Sequence, residues 1–166
     1  MKPVKLSELI EALELEYVEQ ITKVDLHEGC IVTVDSSVVS AVEAGDESSL
    51  GELPDWQKHE LKIARAIVDD ADGRFVAAPD KFDFHEYRQM ERFIRTVADS
   101  ADAGELQRAL KGKGAFRHFK DTANRLGFLN EWYQYRDDAM KDFVVAWAEV
   151  RHIPVLDDIK PRPPHP

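Results

Sequence analysis

Cysteine is all but absent from this chain. Cys30 stands alone among 166 residues, which excludes an internal disulfide and a cysteine-rich metal framework. No apolar run approaches the roughly 20 residues that cross a bilayer. The opening residues, Met1-Lys-Pro-Val-Lys-Leu-Ser-Glu8, have no apolar stretch and reach an acid by position 8, so they are not expected to act as a secretory signal. These absences point to the cytoplasm.

Chemistry-bearing motifs are equally scarce. His27, His59, His85, His118, His152 and His165 are dispersed one by one, with no His-x-x-x-His pair. A metal would therefore need ligands gathered across the fold. There is no Gly-x-Ser-x-Gly elbow and no Gly-Lys-Ser/Thr ending. Asp69-Asp70, Asp137-Asp138 and Asp157-Asp158 are sequence neighbours whose side chains diverge on a helix, which makes them poor catalytic dyads. No catalytic residue, metal or cofactor is assigned, and the balance falls against an enzyme.

What is present is charge, unevenly placed. The net charge is −10, and residues 1–60 account for all of it, with 14 Asp and Glu against 4 Lys and Arg. The remaining residues carry 18 of each sign. An acidic piece joined to a neutral, locally basic body opposes non-specific binding to nucleic acid or anionic lipid. It leaves room for one local cationic site.

Hydrophobic periodicity outlines the elements. Val4, Leu6, Leu9, Ile10 and Leu13 predict a helix over 4–14. The β-branched runs Ile21–Leu26 and Cys30–Val34, linked by His27-Glu-Gly29, predict a hairpin with Gly29 left-handed. Asp35 is a candidate N-cap for a helix through Val38, Val39 and Val42 that ends at Gly45. Residues 44–53 read as a surface loop. Pro54 opens a helix in which Trp56, Ile63 and Ile67 share a buried stripe, and Arg74–Pro79 is a candidate third strand. Asp83 and Glu86 have capping-box spacing. A short helix spans Ala103–Lys111. A basic helix over 114–126 has Phe116, Phe119, Ala123 and Leu126 facing inward and stops at Gly127. A last helix over about 128–152 places Trp132, Tyr135, Ala139, Phe143, Ala146 and Val150 on one stripe. Five of the thirteen residues from Pro154 onward are proline, which reads as a tail.

The expected architecture is α+β in one domain over 1–153. It has a small antiparallel sheet of two or three strands on a mostly helical body with a long C-terminal helix, and 154–166 is a Pro-rich tail.

Positive charge concentrates in 111–136. Lys113, Arg117 and Lys120 fall at helical spacing with Asn124, with Arg125 and Arg136 as flanking cations. The turn Gly112-Lys-Gly114 ahead of a helix leaves free backbone N–H groups at a positive helix end. The candidate binding residues are thus Lys113, Gly114, Arg117, Lys120 and Arg136. The plain alternative is a solvated or self-docked face behind a tight inter-helix turn. Asp121 lies four residues from both Arg117 and Arg125, so part of the charge is locally paired.

The runs Val4–Leu13 and Val24–Gly29, the Gly-x-Gly-Ala-Phe-Arg-x-Phe-Lys-Asp stretch at 112–121 and the Trp-Tyr-x-Tyr-Arg-Asp stretch at 132–137 carry a resemblance. They look like uncharacterised protein family 0158, small bacterial proteins, over about residues 3–153. The resemblance implies a bacterial cytosolic protein and no particular activity, cofactor or catalytic residue.

The first expectation for function is a non-enzymatic binding or regulatory module engaging an anionic ligand or an acidic protein partner through the basic helix. The alternatives are an enzyme acting on an anionic, phosphorylated small molecule, and a homo-oligomeric structural protein.

Overall fold

The computed structural model describes residues 1–15 and 18–161. The fold is α+β, and the chain falls into two compact units. One comprises Met1–Asp80 with the chain from Val144 onward; the other is Lys81–Phe143.

The first unit is built on a three-stranded antiparallel sheet. Strand β2 (Gln20–Asp25) lies at its centre between β3 (Cys30–Asp35) and β4 (Phe75–Ala77). In the register Val24 opposes Ile31 on one side and Val76 on the other. The β-branched content of β2 and β3 suits a pleated surface. Gly29 closes the hairpin for two reasons. Its φ is +68°, and a Cβ there would lie 2.7 Å from the Pro3 carbonyl oxygen and 2.9 Å from Lys2 Cβ. Helix α2 (Ser36–Glu43) is N-capped by Asp35, whose carboxylate accepts from the Ser37 N–H at 2.8 Å. A 3-10 turn at Glu47–Leu50 interrupts the expected loop, and helix α3 (Asp55–Val68) follows. Val34, Val38, Val39 and Ala64 form the core they share.

The N-terminal helix is shorter than the periodicity predicts. Val4–Lys5 is a strand, β1, and α1 covers Leu6–Glu14. Strand β1 pairs in parallel with β5 (Val155–Leu156), register Val4 to Val155. Asp158 then supplies the cap that α1 lacks locally. Its carboxylate accepts from the Ser7 N–H at 3.0 Å and the Ser7 hydroxyl at 2.6 Å. Residues 155–158 thus belong to this unit rather than to a tail. Residues 162–166, including His165, lie outside the described residues.

The second unit is helical. It contains α4 (Lys81–Phe84), α5 (Glu86–Ile94), α6 (Ser100–Ala109), α7 (Ala115–Leu126) and the first part of α8 (Leu129–Val150). Asp99 caps α6 by accepting from the Ala101 and Asp102 N–H groups at 2.8 and 3.0 Å. Met90, Phe93, Ile94, Leu106, Leu110, Phe119, Ala123 and Trp132 make one buried cluster.

Several expected positions shift. Trp56 is 68% exposed, because it sits in the first turn of α3, ahead of the residues that pack into the core. The Asp83–Glu86 capping box does not form. His85 takes a left-handed conformation (φ 52°) between α4 and α5, and Glu86 turns to Arg136 instead. Along α8, Ala146 and Val150 are exposed, while Met140, Val144, Trp147 and Ala148 are buried. Helix α8 serves one unit up to Phe143 and the other beyond it, so no single stripe runs its length.

Asp25 locks the first unit. It is 3% exposed and accepts from Arg74 Nε at 2.9 Å and the second guanidinium nitrogen at 2.6 Å. The His27 and Glu28 N–H groups also donate to it, at 3.0 and 3.2 Å. The Arg74 hydrogen bonds hold its carboxyl below the ordinary 3.8, against the opposing effect of burial, and the two backbone donors add to the lowering. Asp25→Asn should therefore destabilise the protein by about 2 kcal/mol at neutral pH. Because the folded pKa is depressed, the wild-type advantage is complete above the ordinary carboxylate value. It should narrow as pH falls through the lower folded value, in urea denaturation compared across pH. A gap that stays constant from pH 7 to acid would remove the ionised pair from the account.

Candidate functional site

The inward stripe of α7 decides where its charges go. Ala115, Phe119 and Ala123 are buried, one position out of phase at its start with the stripe expected from Phe116. Phe116 is 44% exposed and stands edge-on to Tyr87, centroids 6.5 Å apart, at the rim of the helical unit. The correction follows from the α-helical turn of about 100° per residue. Once 115, 119 and 123 face inward, residues one position later open onto one flank and residues one position earlier onto the other.

On the later side lie Phe116, Lys120 and Asn124, with Lys113 and Arg117 further around. Among the described residues no carboxylate lies within ion-pairing distance of Lys113 or Lys120. Arg117 reaches Asp121 at 3.8 Å, with both side chains largely exposed. Three of the cations expected at the site are thus displayed with little neutralisation. Arg136 is not among them. Its Nε donates to Glu86 at 2.6 Å, and both side chains are mostly buried. The pair ties α5 to α8, so this cation is committed to the fold.

The opposite flank was only partly visible in the sequence. Leu106 of α6 and Leu110 at its C-cap enter the same core as Phe119 and Ala123 of α7. Residues one step earlier on each helix therefore line the seam. Here a groove of roughly 400 Å³ opens, lined by Glu105, Arg108, Ala109, Lys111, His118, Thr122 and Arg125. His118, Thr122 and Arg125 follow the i, i+4, i+7 spacing of one helical face, a signal that could have found them. The partners from α6 could not be aligned without knowing how the two helices pack. Arg125 donates to Glu105 in a close ion pair. That hydrogen bond, followed by the charges of Arg125 and Arg108, holds the Glu105 carboxyl below its ordinary value.

Gly114 links the two flanks. It occupies the N-cap position of α7 with φ 73° and offers no side-chain cap. A Cβ on it would meet His118 Cδ2 at 3.4 Å and Nε2 at 3.5 Å. The left-handed turn is therefore what calls for glycine here, and a methyl in its place would touch the imidazole at ordinary van der Waals distance. Gly112, also left-handed at φ 83°, has nothing within 4 Å of where a Cβ would stand.

Among the described residues no group of three or more His, Cys, Asp and Glu side chains could hold a metal ion. No helix among them is long and apolar enough to cross a membrane. Burial raises the Cys30 thiol, with nearby acids, Asp25 first, adding to the effect, so the thiolate is disfavoured there.

A family model described as an uncharacterised protein family, UPF0158, matches residues 51–161. The match includes both flanks of α7 and the whole helical unit. It begins after the 4–13 and 24–29 motifs and extends past 153. No curated protein and no solved structure matches the chain.

Gly112→Ala and Gly114→Ala should each destabilise the chain by about 1 kcal/mol, since an L side chain in the left-handed region costs that much. Only Gly114→Ala should also change the NMR imidazole resonances of His118, because its methyl would contact the ring. Equal effects of the two substitutions on His118 would mean that the methyl does not reach it.

Proposed function

We propose, for a chain that belongs to the uncharacterised protein family UPF0158, that it is a non-enzymatic binding or regulatory module whose α7 engages an anionic ligand or an acidic protein partner. One observation carries this reading: Arg117 and Lys120 are presented by a helix anchored in the core, with Lys113 in the turn ahead of it, and their charge is left almost unneutralised. A cation on a fixed backbone loses less entropy on binding than one on a loop. The chain's acidic balance keeps polyanions away in general, which suits a local and selective contact rather than nucleic-acid coating. The single cysteine fits a reducing bacterial cytoplasm.

A second reading, an enzyme acting on a phosphorylated small molecule, is favoured by the groove, which brings His118 and Glu105 beside three cations. Glu105 is held by Arg125, which weakens it as a proton acceptor. Exposed aromatics such as Trp56, Phe116 and Tyr133 are what a homo-oligomeric role would use.

The double substitution Arg117→Ala with Lys120→Ala should leave the melting temperature nearly unchanged, because Arg117 is exposed and Lys120 half-buried, and surface charges of this kind contribute little to stability. In the intact chain, an NMR titration with a polyglutamate peptide should shift the amides of 113–120, and the double variant should abolish those shifts. A melting temperature lowered by several degrees, or no shift in the intact chain, would make the face structural and end the proposal.

A further inference from the structure

The groove between α6 and α7 is separate from the cations just described, although it rests on the same reading that α7 meets an anion. We infer that it is a binding site for a small molecule bearing a phosphate monoester. Arg108 from α6 and Lys111 from the connection after it hold the dianion, and His118 and Thr122 complete its hydrogen bonds from α7.

Charge is the first ground. The groove collects Arg108, Lys111 and Arg125 against a single carboxylate, Glu105. Arg125 and Glu105 satisfy each other, which leaves a surplus of two positive charges. A phosphate monoester at neutral pH carries between one and a half and two negative charges, by analogy with a phosphorylated side chain. A monocarboxylate would balance only half of the surplus.

Geometry is the second ground. Donors reach the groove from two helices and so from different directions, which suits a tetrahedral oxygen set better than a planar one. Thr122 can donate or accept, and a neutral imidazole can donate from one nitrogen. The volume, roughly 400 Å³, lies in the range of small-molecule pockets.

Size and overall charge select the class. A groove of this volume suits a small molecule, and the net charge of −10 opposes a long polyanion. Glu105 then has a definite part. It neutralises Arg125 while the groove is free and repels an anion that approaches from that end, so the phosphate sits toward Arg108 and Lys111.

The full chain titrated with glycerol 3-phosphate at constant ionic strength, followed by amide NMR, tests the assignment. Saturable shifts should centre on Arg108, Lys111, His118 and Thr122, and glycerol should produce none. Acetate should bind at least about tenfold more weakly, as should glycerol 3-phosphate to the Arg108→Ala, Lys111→Ala double variant, since each charged hydrogen bond lost is worth that order. Both substituted side chains are exposed, and the variant's amide spectrum reports whether it folds. Glu105→Gln should tighten binding several-fold by removing the one repelling charge.

The assignment is overturned if no saturation occurs up to about 10 mM, if acetate binds equally, or if Glu105→Gln weakens binding. Shifts confined to Lys113, Arg117 and Lys120 would remove the groove and leave the exposed face as the anion site. Binding lost in the Arg108→Ala, Lys111→Ala variant but kept in Arg117→Ala, Lys120→Ala would keep the groove whatever becomes of that face.

Discussion

The contact of Phe119 with Trp132, ring centroids 5.1 Å apart and nearly perpendicular, is the constraint from which the helical unit follows. Phe93 meets both rings edge-on, at 6.3 and 5.6 Å, so three elements converge on one aromatic cluster. Edge-to-face pairs have a preferred geometry beyond area burial, and that geometry sets the rotation of α7 about its axis. Every charge on α7 then has an assigned direction. The Trp132 Nε1 is buried there and, among the described residues, finds no hydrogen-bond partner. Enclosing an unpaired N–H carries a desolvation cost, which the apolar burial of so large a side chain must exceed.

The first unit is organised by ties that are long in sequence. Arg74 crosses 49 residues to Asp25, and Asp158 crosses 151 to Ser7. The two differ in physical weight. Asp25 is enclosed and takes four donors, so it orders the hairpin turn and the β4 side together. Asp158 is exposed and caps one short helix, a local correction for the four unpaired N–H groups at a helix start. Its carboxyl is held below the ordinary value, first by the Ser7 hydroxyl and then by the Ser7 N–H.

The arginines divide into two populations, and the division explains why counting cations did not define a site. Arg74, Arg125 and Arg136 are engaged by Asp25, Glu105 and Glu86. Arg117 has only a distant contact with Asp121. Arg136 and Arg117 looked alike in sequence, yet one ties two helices and the other projects into solvent. A guanidinium fork matches a carboxylate well enough to serve either purpose, so residue type alone does not separate them.

Much of the architecture was legible because it rests on local physics. The hairpin with its left-handed Gly29, the Asp35 cap and the stop of α7 at Gly127 all depend on residues within a few positions of one another. The sequence by itself also determined the uneven charge and the presence of a cationic helix behind a glycine turn. Periodicity turned both Phe116 and Phe119 inward, because they satisfy the same period, and only the partner across the core chooses between them. Nor could the sequence place Glu86 opposite Arg136, pair Val155 with Val4, or align α6 with α7 so that six residues from two helices and their connection meet around His118. Those arrangements come from packing between segments far apart in sequence, and packing is what tertiary structure alone decides.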